Sequence, residues 1–330
     1  MQNADKIIKK LYIKSYEPGK YGQVDLSLSN NRLLTIGVKI MDNSSKGPLT
    51  YDVARLYDEL VYFNHYSQKG ETCPLNFFLP MILVNRSYET YESSLLDLAG
   101  KILSYYGRLD RLDDYIIQVN SYDRLIRAYI RSGGQSLEGD RLIPILRDIK
   151  AGLVAYNLTK ETKRETIDFQ LKKVKYIEKI HRLIDSLEGV STYNIDMSSH
   201  NTNMDDLDIF DRIACLAGGQ ESGDSLTRVL AYILGYENVS VKVDNEAFGS
   251  NLEEDDKGYE RSMSGEEIGY KAFVSSMADY LLDLRNRDKI TRKYGARSSP
   301  KHFLSEDVGY QGQDPILNRY KILEKAKEGN

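Results

Sequence analysis

The sequence predicts a mainly helical α+β protein, with a small antiparallel N-terminal sheet packed on a helical body and a second helical unit after a polar linker. Two observations predict this class: apolar residues recur at helical spacing through most of the 330 residues, and alternation of apolar and polar residues is confined to short stretches. The composition, 41% apolar and 28% charged, is that of an ordinary globular protein. A chain of this length can bury a sizeable core, so we expect two packed units.

Residues 1–48 are predicted to form a β-rich segment. Apolar and polar residues alternate over 24–28, Asn30-Asn31 follow as turn residues, and the alternation resumes over 34–40. Alternation on both sides of such a break is typical of a β-hairpin. With a further strand predicted at 12–16, this segment would form an antiparallel sheet.

Residues 49–190 predict a helical body, because apolar residues recur there every three or four positions. Its clearest helix spans Thr162 to Leu187, where Thr162-Lys163-Arg164-Glu165 reads as a capping box and Gly189 as a stop signal. We interpret seven apolar residues of this helix as one stripe that faces the core: Ile167, Leu171, Val174, Ile177, Ile180, Ile184 and Leu187.

A polar stretch at 191–204 is predicted to be a linker, because it is rich in Ser, Asn, Thr and Asp and has little periodicity. Residues 205–330 then predict a second, mainly helical unit. Its predicted elements are helices over 206–217, 225–234 and 268–284, a short strand over 239–243 and a last helix from residue 314.

Cysteine usage and hydropathy indicate the cellular setting. The two cysteines, Cys73 and Cys215, lie far apart in sequence, which argues against a disulfide framework and for a reducing compartment. The N-terminus has no apolar run of signal-peptide length, and no stretch is apolar enough over sufficient length to span a bilayer. We therefore expect a soluble, cytoplasmic protein that does not contact a membrane.

Common catalytic motifs are missing from the sequence. The Cys and His residues have no zinc-ligand spacing, and there is no phosphate-binding glycine loop or nucleophile elbow. We therefore assign no catalytic residue.

A group of aspartates is the sharpest indication of an enzyme. Asp205, Asp206 and Asp208, together with Asp224, are candidate Mg²⁺ ligands, and a bound Mg²⁺ could hold a phosphate or activate a water. Acidic residues also stabilise the first turn of a helix, so a purely structural explanation of this group stays open.

Two short segments resemble the metal motifs of ADP-ribosylglycohydrolases. They are Gly223-Asp224-Ser225-Leu226-Thr227 and Thr50-Tyr51-Asp52-Val53. The resemblance implies a Mg-dependent hydrolase with an ADP-ribose-like substrate. Leu226 and Tyr51 stand where that family carries carboxylates, and the resemblance is limited to these two segments, so we do not assign the chain to the family.

Two basic stretches are candidate surfaces for an anionic partner. The first lies in the helix over 162–187 and comprises Lys172, Lys173, Lys175, Lys179 and Arg182, which we interpret as solvated surface. The second is predicted to bind a partner and comprises Arg285, Arg287, Lys289, Arg292, Lys293 and Tyr294. Its cations could neutralise phosphates while the tyrosine ring stacks on a base.

These observations favour a non-catalytic intracellular binding or scaffold protein without a cofactor, a class that includes subunits of protein or nucleic-acid assemblies. Segregated charge and 25 tyrosines, whose rings suit interfaces, support this expectation. The expected partner is a protein or a single-stranded nucleic acid, although the formal net charge of −4 gives no overall attraction for nucleic acid. The alternative is a Mg-dependent hydrolase that acts on a phosphate-containing or ADP-ribose-like substrate through the Asp group.

Overall fold

A computed structural model describes residues 2–17, 28–42, 49–66, 72–158, 160, 162–190, 193, 207–219, 224–236 and 274–286. These residues are mostly helical, which confirms the predicted helical character. The α-helices are α1 (Gln2–Ser15), α2 (Ser29–Lys39), α3 (Val53–Tyr66), α4 (Leu79–Val84), α5 (Glu92–Tyr105), α6 (Leu112–Arg131), α7 (Leu142–Ala155), α8 (Lys163–Leu187), α9 (Ile209–Ala217) and α10 (Ser225–Leu234), and a further helical stretch covers 274–286. Short 3-10 helices lie at Pro74–Phe78, Tyr88–Thr90, Leu109–Arg111 and Gly139–Arg141.

Strand structure within the described residues is limited to β1 (Met41–Asp42) and β2 (Thr50–Tyr51), which pair antiparallel with Met41 opposite Tyr51. The predicted antiparallel N-terminal sheet is not shown. Residues 34–39 of the hairpin strand predicted at 34–40 belong to α2, and the strand predicted at 12–16 falls at the end of α1 and the bend that follows it. Residues 24–27 of the other hairpin strand lie outside the described residues.

The reason for this error is burial. All eleven residues of α2 are buried, including the polar or charged Ser29, Asn30, Asn31, Arg32, Thr35 and Lys39, so polar residues that alternate with apolar ones do not mark an exposed face here. The supposed turn residues anchor α2 instead. The Asn31 amide accepts a hydrogen bond from the backbone N–H of Glu17 at 2.6 Å and donates one to the Glu17 carbonyl oxygen at 2.8 Å. Asn30 accepts from the backbone N–H of Cys73 at 2.9 Å.

Helices α2 and α6 form the centre of the core. Helix α2 packs against the Pro74–Phe78 turn and α4, while α6, with twelve of its twenty residues buried, contacts α1, α5, α7 and α8. Close packing of α2 depends on Gly37, where a Cβ would lie 2.5 Å from the carbonyl oxygen of Phe77. One cluster of buried apolar residues extends from α1 to α10 and includes residues of the 274–286 helix.

Both units expected from the sequence contribute described residues to this one cluster of buried apolar residues. Helix α10 packs on α1, and α9 packs on α8 and α10. The predicted linker, 191–204, lies outside the described residues except for Tyr193, so the predicted domain boundary stays a prediction. The predicted strand at 239–243 and the helix from 314 also lie outside them.

The predicted ends of two helices are confirmed. At the start of α8 the Thr162 hydroxyl accepts from the backbone N–H of Glu165 at 3.1 Å, and the Glu165 carboxylate accepts from the Thr162 N–H at 3.0 Å. This is the capping box that the sequence predicts. Gly189 after α8 and Gly235 after α10 adopt φ values of 74° and 81°, which favour glycine.

The prediction of one core-facing stripe on α8 is wrong for its first three residues. Ile180 and Ile184 are buried, but Ile167, Leu171 and Val174 are exposed. The physical reason is the spacing: the stripe advances about 3.3 residues per step against 3.6 per helical turn, so it winds about 160° around the helix. Its two ends therefore lie on different sides of α8.

Within the part of the chain that the structure describes, no helix combines the length and hydropathy needed to cross a lipid bilayer.

Candidate functional site

The two predicted metal ligands that the structure describes, Asp208 and Asp224, are both N-cap residues. Asp208 begins α9 and Asp224 begins α10. Asp205 and Asp206 lie outside the described residues. Each described carboxylate uses one oxygen to cap its helix and the other to pair with a cation.

Asp208 joins α9 to α8. Its Oδ1 accepts from the backbone N–H groups of Phe210 at 2.9 Å and Asp211 at 3.0 Å, and its Oδ2 accepts from the Lys179 ammonium at 2.5 Å. Lys179 also contacts Asp211 at 2.7 Å. Burial by itself lowers the pKa of Lys179, but the charges and hydrogen bonds of the two aspartates outweigh burial and raise that pKa above its usual value.

Asp224 joins α10 to α9. Its Oδ1 accepts from the backbone N–H groups of Leu226 and Thr227, and its Oδ2 pairs with the Arg212 guanidinium. Arg212 is a fully buried side chain, and its Nε donates to the Leu207 carbonyl oxygen at 3.1 Å. This buried pair fixes the starts of two helices relative to each other.

These contacts explain Asp208 and Asp224 as structural residues. A Mg²⁺ ion bound by them would compete with Lys179 and Arg212 for the same oxygens. Among the residues that the structure describes, no three His, Cys, Asp or Glu side chains are grouped as metal ligands. The predicted Mg²⁺ site, which also includes Asp205 and Asp206, stays a prediction.

Arg285 is the one residue of the predicted partner-binding segment that lies within the described part of the chain. Its guanidinium donates to the carbonyl oxygens of Leu83 at 2.6 Å, Val84 at 3.3 Å and Asn85 at 3.0 Å, at the end of α4. Burial lowers the pKa of Arg285 to about 10, and the charges of nearby arginines add to this effect. Arg285 therefore anchors the 274–286 helix to α4. The rest of the segment, Arg287, Lys289, Arg292, Lys293 and Tyr294, lies outside the described residues, and its partner binding stays a prediction.

An open cleft of about 240 Å³ lies between α8, the start of α6 and the start of α9. We call it the basic cleft, and it is lined by Arg111, Asp114, Lys172, Lys175, Tyr176, Lys179 and Asp208. Four of these residues belong to α8, and their i, i+3, i+4, i+7 spacing places them on one side of the helix: Lys172, Lys175, Tyr176 and Lys179. Arg111 is the N-cap residue of α6.

The cations of the basic cleft differ in how they are held. Lys172 contacts Asp114 at 3.3 Å and donates to the Asp110 carbonyl oxygen at 3.0 Å, while Lys179 is held by the aspartates of α9. The Arg111 guanidinium lies 5.9 Å from the centre of the Tyr115 ring. Lys175 is exposed and contacts no hydrogen-bond or ion-pair partner among the described residues.

Tyr176 contributes a neutral hydroxyl to the cleft. Burial, followed by the negative charges of Asp208 and Asp114, raises the pKa of Tyr176 above its usual range. Its hydroxyl accepts from the Gln118 amide at 3.2 Å and keeps its proton for donation at neutral pH. The Tyr176 hydroxyl is therefore a neutral hydrogen-bond donor in the cleft, in addition to the four cations.

Comparison with protein-family models, with curated proteins and with solved structures finds no match for this chain.

The described lining of the basic cleft suits the binding of an anionic group. It has no Ser, Cys or His, and its carboxylates are engaged by Lys172 and Lys179. Activated nucleophiles need an adjacent base, and none of the lining residues forms such a pair. Cations, a helix N-terminus and a hydroxyl donor together can hold an anionic group.

The sequence contained part of the signal for this site. The spacing that places Lys172, Lys175 and Lys179 on one helix side is visible in the sequence, but a run of lysines in a helix by itself indicates only solvated surface. Asp208 is predicted from the sequence to be a metal ligand, and no sequence pattern assigns Arg111 or Asp114 to a site. Their meeting depends on how α6, α8 and α9 pack.

Proposed function

We propose that this protein is a non-catalytic binding protein that receives an acidic or phosphorylated side chain of a partner protein in the basic cleft. The observation that carries this proposal is the gathering of four cationic side chains around one open cleft. Four cations against two carboxylates give the lining a positive charge, in a chain whose formal net charge is −4. A local positive field in a negative protein attracts a single anionic group to one place.

Lys175 makes the main ligand contact in this proposal, and Arg111 contributes a second positive charge. Lys175 is exposed and presents a compact charge at the edge of the cleft. The planar guanidinium of Arg111 presents several N–H donors in a geometry that suits carboxylates and phosphates. Because Arg111 directly precedes the first residue of α6, the positive end of that helix adds to the attraction.

A protein partner is favoured over a nucleic acid by the size of the cleft and by the overall charge. A space of about 240 Å³ accommodates one acidic group rather than a row of phosphates. Affinity for nucleic acid rises with the number of phosphates that a protein neutralises, and the net charge of −4 opposes a long polyanion.

The test is binding of labelled acidic peptides, with and without a phosphoserine, measured by fluorescence anisotropy at low salt. Lys175→Glu should weaken binding about 10- to 100-fold, because it removes a charge-assisted contact and adds a like charge. The matched control is Lys163→Glu, which makes the same change of charge on an exposed residue of α8 outside the cleft. That variant should bind as the wild type does.

Two results would contradict the proposal. The first is that the wild type binds none of the acidic peptides at low salt. The second is an equal loss of binding in both variants, which would show that only net charge matters. Tighter binding of a single-stranded oligonucleotide than of the phosphopeptide would replace the protein partner by a nucleic acid.

A further inference from the structure

The outward side of α8 carries a strip of apolar side chains that the protein's own core leaves exposed. Ile167, Leu171 and Val174 are 59%, 58% and 48% exposed. They point away from the side of α8 that buries Phe169 and Ile180. Large apolar side chains grouped on one exposed surface are typical of an interaction site.

Two exposed charges of opposite sign flank this strip at equal distances. Arg164 lies seven residues before Leu171 and Glu178 lies seven residues after it, each about 10.5 Å away along the helix axis. Neither side chain contacts an ion-pair or hydrogen-bond partner among the described residues. With Ile167 and Val174 they follow the 3-4-3-4 spacing of residues in a helix–helix seam.

We propose that this strip is an interface between two copies of this chain, in which the α8 helices pack antiparallel about a two-fold axis at Leu171. This axis places Leu171 against the partner's Leu171. It also places Arg164 opposite the partner's Glu178, and Glu178 opposite the partner's Arg164. The surface is therefore complementary to itself, which a two-fold interface requires.

The charges select the antiparallel arrangement and a second copy as the occupant. In a parallel pair in register, Arg164 would lie beside the partner's Arg164 and Glu178 beside the partner's Glu178, so like charges would repel. The antiparallel pair turns both contacts into opposite-charge contacts.

The strip and the basic cleft lie on neighbouring sides of α8, and Lys175 borders both, four residues after Leu171. The other α8 residues of the cleft lining, Lys172, Tyr176 and Lys179, lie farther from the strip. Arg164 and Glu178 are not part of the cleft lining, so changing them tests the interface without altering the anion site.

The test is sedimentation velocity of the full chain from about 1 µM to about 300 µM, a range that suits an interface of this small size. The wild type should form a dimer whose fraction rises with concentration. Arg164→Glu and Glu178→Arg should each weaken the association about tenfold or more, because each places like charges opposite one another. Asp58→Arg, an exposed residue of α3, is the control that matches the charge change of Glu178→Arg and should leave association unchanged.

The double variant Arg164→Glu with Glu178→Arg decides the pairing. It reverses both charges and re-forms both contacts, so association should return to within about threefold of the wild type. A wild type that stays monomeric throughout, or single variants that associate normally, would overturn the proposal. A double variant weaker than either single variant would also overturn it.

A second measurement does not depend on charge. Leu171→Cys should form a disulfide between two copies when the protein is treated with a mild thiol oxidant, because the two-fold axis brings both thiols together. Asp58→Cys should stay monomeric under the same treatment, since it lies outside the proposed interface. No covalent dimer from Leu171→Cys would place the axis elsewhere and contradict the proposal.

Discussion

Replacing Arg212 by Met tests whether the buried pair with Asp224 holds α9 to α10. The Arg212 side chain is 1% exposed and that of Asp224 is 13% exposed. The Arg212 guanidinium also donates to the Leu207 carbonyl oxygen and to the Thr227 hydroxyl. Methionine keeps much of the apolar stem, so the main change is the loss of charge and hydrogen bonds.

We expect Arg212→Met to destabilise the protein by about 3–5 kcal/mol, the usual cost of leaving one member of a buried ion pair without its partner. The cost arises because Asp224 stays largely buried without a counter-charge. Native proteins are stable by only about 5–15 kcal/mol, so this loss is a large fraction of the total. Urea unfolding followed by circular dichroism measures it directly.

The matched control is Lys101→Met, which breaks an exposed pair. Lys101 and Asp97 lie 2.8 Å apart, but their side chains are 47% and 55% exposed. Solvent screens such a pair, so the expected cost is about 0–1 kcal/mol. Similar costs in the two variants would refute the argument from burial.

A double variant separates the charge from the cap. Asn is a good N-cap residue and carries no charge, so Asp224→Asn should keep the start of α10 capped. Combined with Arg212→Met it removes both charges, and the double variant should be more stable than Arg212→Met alone. A double variant that costs the full sum of the two single changes would refute the inference that the charges act as a pair.

Three further predictions test packing and charge elsewhere in the fold. Gly37→Ala should lower the free energy of unfolding in urea by about 1–3 kcal/mol, because the added Cβ would lie 2.5 Å from the Phe77 carbonyl oxygen. A variant as stable as the wild type would contradict this packing. Ile180→Ala, at a fully buried position, should lower the free energy of unfolding by about 2–5 kcal/mol. Val174→Ala, at a 48% exposed position, should lower it by about 0.5 kcal/mol or less in dilute solution. Equal losses would contradict the observed orientation of α8. Burial raises the pKa of Glu17, so the folded protein favours the protonated carboxyl group. The stability that this group contributes is therefore fully present below the unfolded pKa near 4.5 and is lost as pH rises through the raised folded pKa. Glu17→Gln does not titrate and should gain stability relative to the wild type between pH 4 and pH 7, and a difference in unfolding free energy that is independent of pH would contradict this.

The candidate site could be predicted from the sequence only in part. The lysines of α8 share a helix side, which spacing alone indicates. Arg111 and Asp208 reach the same cleft from positions far along the chain, and only the packing of α6 and α9 on α8 brings them there. The two described carboxylates that the sequence predicts as metal ligands, Asp208 and Asp224, are N-cap residues in the structure, because an N-cap aspartate satisfies free backbone N–H groups whether or not a metal binds.

The sequence by itself determined the elements whose signals are local. The ends of α8 and α10 depend on contacts within a few residues, a capping box at Thr162 and left-handed glycines at Gly189 and Gly235, so they can be read without the fold. Tertiary structure decided which way the apolar residues face. Helix α2 is buried on every side, so its polar residues do not mark an exposed face, while the apolar strip of α8 faces solvent because neighbouring helices cover only its other side. Burial is a property of the whole packed chain, so a local pattern can indicate a helix without showing what covers it.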